Sequence, residues 1–447
     1  MIWLRASAAL LTTALFGAAI LTLVAGDVRR FSPAERLGLS FGLGLIGLPW
    51  GLFLLSLAGV APAWWLGAGL TALALAGALA LRRDALPGWR ARGESAPWTT
   101  AVVLPAALLG GFLLVHTAVS LLEPVAEWDT IAIWALKAKV VLHEPVAASS
   151  YFRDPAKAYS HLDYPLLWPF AMAWVWTCTG SADLTSVKIL GPALLAALAA
   201  TFHGLAARRG PRAAAMAYTA LLCGIPIVLS QTSRLLADAP LAFFALLAFG
   251  ASSTWLESRD DAWIRLSGVF AAGMILTKNE GLGLAAILVM ALLLCRAPVR
   301  PVATWTIALP AVLTAPWLIF RAGIPKLAED YGARLQPALF LANIGRVPAI
   351  ARALATEALN LEDWLLLWPL VLLGLILGAR RLRRPPSALV AVSLGLIAAM
   401  YGAVYVVTPW DVGPLIESTA ARLMLHAAPL GTFCFFLQTQ GREDARP

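Results

Sequence analysis

The sequence predicts an all-α polytopic membrane protein of about 13 transmembrane helices, with a long external loop that carries interfacial helices. Three observations predict it. First, 60% of the 447 residues are hydrophobic and only 13% are charged, at a mean hydropathy of +0.77. The chain repeatedly reaches the roughly 20-residue apolar runs that cross a bilayer. Second, its Arg residues fall in short clusters between those runs, the pattern of cytoplasmic loops. Third, the first sizeable polar stretch, 123–165, gathers Glu127, Asp129, Lys137, Lys139, Arg153, Asp154, His161 and Asp163 in one segment. An apolar chain that collects ionisable groups in one loop does its chemistry there.

Taken in order, apolar runs lie at 3–25, 36–59, 62–81 and 99–122. The first ends in small residues like a signal peptide, yet it is long and another run follows soon, so it reads as a retained span. Arg29, Arg30 and Arg36 follow the first run and Arg82, Arg83, Arg90 and Arg92 the third, which places both loops inside. Gly38, Gly42, Gly47 and Gly51 have the spacing of close helix packing. Further runs lie at 185–206, 212–230, 236–256, 263–277, 281–295, 301–320, 363–379, 386–408 and 423–438. The apolar stretch 164–179 is set apart as interfacial or re-entrant: it is short, contains Pro165 and Pro169, and carries Trp168, Trp174 and Trp176, which favour the headgroup level. Every Arg cluster then falls inside, with the N-terminus outside and the C-terminus cytoplasmic.

This topology has four parts: a three-span extension at 1–98, a membrane core at 99–320 with its external loop at 123–184, a second external loop at 321–362, and C-terminal spans with a tail at 363–447. The net charge of +9 is a topology signal, and no nucleic-acid partner is expected. Cys178, Cys223, Cys295 and Cys434 are isolated and read as small core residues. The same assignment brings Asp238, Lys278, Glu280, Asp411 and Glu417 out on the side of Asp129.

Each polar signal has two readings. Asp129 opens the helical pattern DTIAIWALKAKVVLHEP. It is either an N-cap on an interfacial helix whose Lys137 and Lys139 meet the headgroups, or a general base beside a lipid-borne substrate. Asp238, ahead of Pro240 and a long apolar run, is either a cap or a functional carboxylate. Residues 277–281, TKNEG, form either a polar turn, or a site where Lys278 and Glu280 pair or face a wet cavity. Arg234 and Arg422 near span ends either snorkel or bind an anion. His161 either satisfies a loop carbonyl or acts in catalysis. Asp411 and Glu417 either cap the last span or touch an acceptor. The loop at 321–362, with Tyr331, Gln336 and Arg346, is long enough to form a lid.

In this order the motifs Glu127-Trp128-Asp129, Trp134 to Lys139, His161 to Leu166, Arg234 with Asp238-Ala239-Pro240-Leu241, Thr277 to Gly281, Thr408 to Asp411, and Arg422-Leu423 resemble the GT-C membrane glycosyltransferases. These include the protein O-mannosyltransferases and the aminoarabinose transferases acting on lipid A. The resemblance covers residues 99–438. It implies transfer of a sugar from a polyprenyl-phosphate carrier to a glycan, lipid or protein acceptor, on the outer face of the plasma membrane. It places the base in the first external loop, at Asp129 or at Glu127, the two acids that flank Trp128. Asp238 matches a second acidic position that in some members helps hold a divalent metal such as Mg or Mn; other members need none.

A hydroxyl nucleophile needs a carboxylate to take its proton, and a phosphate leaving group needs cations more than an acid. Lys278, Arg234, His161 and Arg422 are the cations on the expected face, and Asp163, Tyr164, Glu280, Asp411 and Glu417 are the candidate substrate contacts. Two other classes remain: a lipid-linked oligosaccharide polymerase or ligase, kept open by the late loop at 321–362, and a secondary transporter or flippase, whose paired repeats and mid-membrane ionisable groups the sequence does not clearly show.

Overall fold

A computed structural model of the protein describes residues 1–83, 98–325 and 331–440. Arg90, Arg92, residues 326–330 of the expected lid loop, the side chain of Tyr331 and the tail at 441–447 lie outside what is described.

Among the described residues every regular element is a helix. In chain order the main ones are α1 (Ile2–Ala25), α2 (Pro33–Leu57), α3 (Trp64–Leu81), α4 (Thr100–Leu122), α5 (Leu136–His143), α6 (Leu167–Thr179), α7 (Leu184–Ala207), α8 (Arg212–Gly224), α9 (Pro226–Ser233), α10 (Asp238–Ser258), α11 (Asp261–Thr277), α12 (Glu280–Leu294), α13 (Val299–Ala322), α14 (Val347–Ala358), α15 (Leu367–Leu377), α16 (Pro385–Val407), α17 (Val412–Leu425) and α18 (Ala428–Gln440). Eight are long and apolar enough to cross a membrane, or up to ten spans if two bent pairs count. The pairs are α8 with α9, bent by 61°, and α17 with α18, bent by 52°. The first break falls at Ile225, before Pro226, whose missing N–H cannot continue the ladder. Three expected spans are shorter than this standard: α11 has 17 residues, α12 has 15 and α15 has 11. At 1.5 Å per residue even α11 reaches only about 26 Å, against about 30 Å of hydrocarbon.

The bundle is held by close approach. A Cβ on Gly17 would lie 1.7 Å from the Ser40 carbonyl oxygen, and one on Gly44 would lie 1.9 Å from that of Thr13, so α1 and α2 meet backbone to backbone. Gly38 is pressed against Thr201 of α7 in the same way, the packing role expected of it. The start of α2 is fixed by a capping box, with Ser32 and Glu35 bonding each other's backbone N–H and Pro33 in the first turn.

The ionic groups separate to the two ends of the bundle. At one end Arg30 is 2.5 Å from Asp260, Arg208 pairs with Glu35, and Arg209 is 3.0 Å from Glu257. These pairs join the C-terminal ends of α1, α7 and α10 to the N-terminal ends of α2 and α11. The carboxylates and cations of the candidate site lie at the other end.

Helix α6 differs from expectation in one respect. Its 13 residues lie across one end of the bundle: Phe170 packs edge-on against Phe53 in the last turns of α2, and Trp174 Nε1 donates to the Ala9 carbonyl of α1. Its three tryptophans are core residues, each at most 3% exposed. Trp168 donates to the Leu235 carbonyl and Trp176 to that of Asp183. A headgroup-level reading of these side chains is therefore corrected: protein carbonyls satisfy their N–H groups.

Candidate active site

The site forms where several helices begin or end. Helix α10 starts at Asp238, α11 ends next to Lys278, α12 starts at Glu280, and α17 brings Arg422 to its last turn. Ahead of α10 the chain turns through Leu235 at φ +60°, a left-handed conformation rare for a branched side chain. Two bonds hold that turn: Trp168 Nε1 donates to the Leu235 carbonyl at 2.8 Å, and Thr130 Oγ1 to the Arg234 carbonyl at 2.6 Å. Strain kept this way belongs with sites that must hold one geometry.

Asp238 is the centre of the cluster and is fully buried. Its Oδ1 accepts from Lys278 Nζ at 2.7 Å and from His426 Nε2 at 2.9 Å, and its Oδ2 from Arg422 Nη2 at 3.0 Å and Nε at 3.2 Å. The capping reading of Asp238 fails, because its carboxylate bonds three side chains from two other segments, Lys278 after α11 and Arg422 and His426 at the end of α17. A carboxylate removed from water needs such partners to remain charged. The remaining arm of Arg422, Nη1, is 2.7 Å from Asp129 Oδ2. Asp129 makes no side-chain capping bond either, although it precedes a π-helical turn, Thr130–Ala135. Lys278 also lies 2.9 Å from Glu280 Oε1, which joins the two acids of the loop and the span. His426 in turn bonds the Tyr401 hydroxyl through Nδ1 at 2.6 Å.

A second layer adjoins the first. Asp163 Oδ2 accepts from Asn279 at 2.9 Å and from Arg321 at 3.2 Å. Tyr164 makes two stacked ring contacts, with His161 at 4.7 Å and Trp134 at 5.6 Å between centroids. Burial, then Glu280, Asp163 and Asp238, push the Tyr164 phenol well above its ordinary range. Lys137 lies over both Trp134 and Tyr164, at 5.7 and 5.4 Å from the ring centroids, and donates to the His161 carbonyl. It does not meet lipid headgroups, as the sequence suggested; it is fully buried, and burial, opposed by Asp163, pushes its ammonium down to about 7. Lys139, two residues on, is exposed as expected.

The remaining expected residues lie outside this core. Glu127 and Arg234 pair with each other at 3.2 Å, both partly exposed. His161 sits at φ +51° and contributes its carbonyl and ring as described. Asp411 is exposed and caps α17 by accepting from the Gly413 N–H at 3.3 Å, the bland reading of that residue. Glu417 is exposed on the same helix.

The donor set at Asp238 does not suit a divalent metal. Both oxygens already face cationic or imidazole donors, and an ion there would meet Lys278 and Arg422 at close range. Among the described residues no three His, Cys, Asp or Glu side chains are grouped to hold a metal ion.

Sequence reasoning missed four participants. His426 follows Arg422 by one helical turn inside an apolar run, and a polar residue in that position was the available signal. Arg321 reads only as the end of a span, and Asn279 as part of a turn. Tyr401 has no distinguishing mark in its apolar helix. Set beside known proteins, the chain matches no family model, no curated protein and no solved structure.

Proposed function

We propose that the protein is an inverting glycosyltransferase that moves a sugar from a polyprenyl-phosphate carrier to an acceptor hydroxyl at the outer face of the plasma membrane, as its motifs suggest. The observation that carries this reading is the chain Asp129, Arg422, Asp238, Lys278, in which a partly exposed carboxylate is joined to a buried, cation-rich cluster at one end of the bundle. The charge rule puts the Arg-rich end inside and this end outside. On this topology the spans number about 13, with α11, α12 and α15 crossing despite their length, and 123–184 is an external loop.

The roles follow from exposure. Asp129, at 27%, is open to an acceptor, and it takes the hydroxyl proton as the oxygen attacks the anomeric carbon. The new carbon–oxygen bond forms as the bond to the phosphate oxygen breaks, and the electron pair leaves with the polyprenyl phosphate. Attack opposite the leaving group inverts the anomeric centre. Phosphate is a weak base, so cations suffice in place of a general acid. Arg422, Arg321 and Arg234 keep 25, 36 and 47% of their side chains exposed and suit that task. Lys278, at 5%, instead neutralises Asp238 and Glu280. Glu280 Oε2 is enclosed with no hydrogen-bond partner among the described residues, and it presents an acceptor for a sugar hydroxyl. No step is assigned to a metal.

The test compares the lipids and surface glycans of cells carrying wild type or Asp129→Asn by mass spectrometry. Accumulated polyprenyl-phosphate sugar with loss of one glycan modification is expected; unchanged lipids and glycans, with the variant normally inserted, overturn the assignment. Labelling of Ser150→Cys, an exposed position, by an impermeant thiol reagent added outside tests the orientation.

One observation favours a second reading. Two bent helix pairs in one bundle are a feature of secondary transporters. Against it, Asp238, Lys278 and Glu280 stand at helix ends and not at the middle of spans. Polyprenyl-phosphate sugar flux across vesicles without any transfer would decide for the transporter.

A further inference from the structure

Arg422 serves two carboxylates that are not equivalent. Its Nε and Nη2 face Asp238, which is 0% exposed and has further partners in Lys278 and His426. Its Nη1 alone faces Asp129, which is 27% exposed. The Asp238 side of the guanidinium is therefore anchored, and the Asp129 side is the one an incoming anion reaches. While Nη1 donates to Asp129 Oδ2, that oxygen is engaged and is a poorer acceptor for a hydroxyl proton.

We infer that Arg422 masks the base and that the phosphate of the polyprenyl carrier unmasks it. This rests on the reading of Asp129 as the base of a glycosyl transfer. A phosphate oxygen entering beside Arg422 competes for Nη1, because guanidinium and phosphate form strong charge-assisted bonds. Arg422 stays on Asp238 through Nε and Nη2, so the guanidinium pivots without leaving its buried partner. Asp129 then turns its freed oxygen to the acceptor. Proton removal is thereby confined to complexes that already hold the carrier phosphate, and the donor binds before the acceptor is activated. After transfer the polyprenyl phosphate departs, and Nη1 returns to Asp129. No bond other than hydrogen bonds changes in the switch itself.

The experiment uses the full chain in lipid nanodiscs. Asp129 is modified with a water-soluble carbodiimide and a glycine ester, and its labelled fraction is read by peptide mass spectrometry with and without undecaprenyl phosphate. Binding of undecaprenyl phosphate is followed in parallel by tryptophan fluorescence. The expected result is a several-fold rise in Asp129 labelling on binding. In Arg422→Gln the labelling is already high and undecaprenyl phosphate does not raise it. Binding with labelling that is unchanged or falls overturns the switch and leaves the transferase reading standing. Absence of binding overturns the transferase reading along with it. The wild-type comparison decides the matter even where Arg422→Gln does not fold.

Discussion

His426 Nε2 lies 2.9 Å from Asp238 Oδ1, and both side chains are fully buried. The contact joins the break between α17 and α18 to the first residue of α10, and Tyr401 holds the imidazole from its other nitrogen. His426→Leu takes a donor from a buried carboxylate and should cost about 1–3 kcal/mol. His426→Gln can offer an N–H again and should recover part of the loss. Thermal unfolding in detergent reads both, and equal melting temperatures for wild type and His426→Leu would remove this contact from the stability of the bend.

Asp238→Asn removes the buried carboxylate shared by Lys278 and Arg422 and leaves Lys278 with Glu280 and Arg422 with Asp129 as counter-charges. A clear loss of stability is expected, smaller than for a buried charge left with no partner. Asp238→Leu combined with Lys278→Met should be less damaging than Asp238→Leu alone. Denaturation of the purified variants distinguishes these outcomes. Additive losses in the double variant would argue that the pair is not coupled.

For Asp129 the expectation is different. Its carboxylate is partly exposed and pairs with Arg422, so Asp129→Asn should fold and melt near wild type while the proposed transfer falls by about 10²–10⁴-fold. Glu127→Gln, which loses only the pair with Arg234 at the rim, should retain most activity. Equal loss of transfer in the two variants would mean that Asp129 has no special role.

Lys137 predicts a pH dependence. Its amine titrates at 10.5 in an open chain and at about 7 when buried here. Between those values the unfolded chain holds the proton and the folded one does not, so stability rises with pH from about 7 towards 10.5. Below about 7 both forms are protonated and the penalty is constant. The difference in melting temperature between wild type and Lys137→Met should therefore narrow as the pH is raised from neutral. A difference that does not vary with pH would contradict the burial of a neutral amine.

Hydropathy and charge made much of this protein legible without a structure. Each apolar run corresponds to a helix or a bent pair, because a run's burial preference is a local property of its composition. The gathering of Asp129, Asp238, Lys278, Glu280 and Arg422 at one end followed from counting spans between Arg clusters. What could not be read was which side chain meets which. That depends on the rotation of each helix about its axis, and here rotation is set by contacts as close as Gly17 against Ser40.

The bend at α17 and α18 shows the limit most clearly. The apolar run at 423–438 reads from the sequence as one span, yet the chain turns at His426 and aims it at Asp238. Likewise Lys137 and the tryptophans of α6 read as interfacial residues by type, yet they are buried, with their N–H groups donating to neighbouring carbonyls. The sequence by itself determined the membrane class and the two chemical ends of the bundle. Only the tertiary structure decided that one guanidinium, Arg422, joins Asp129 to Asp238, since a charge pair between remote helices depends on distance in space and on no feature of spacing along the chain.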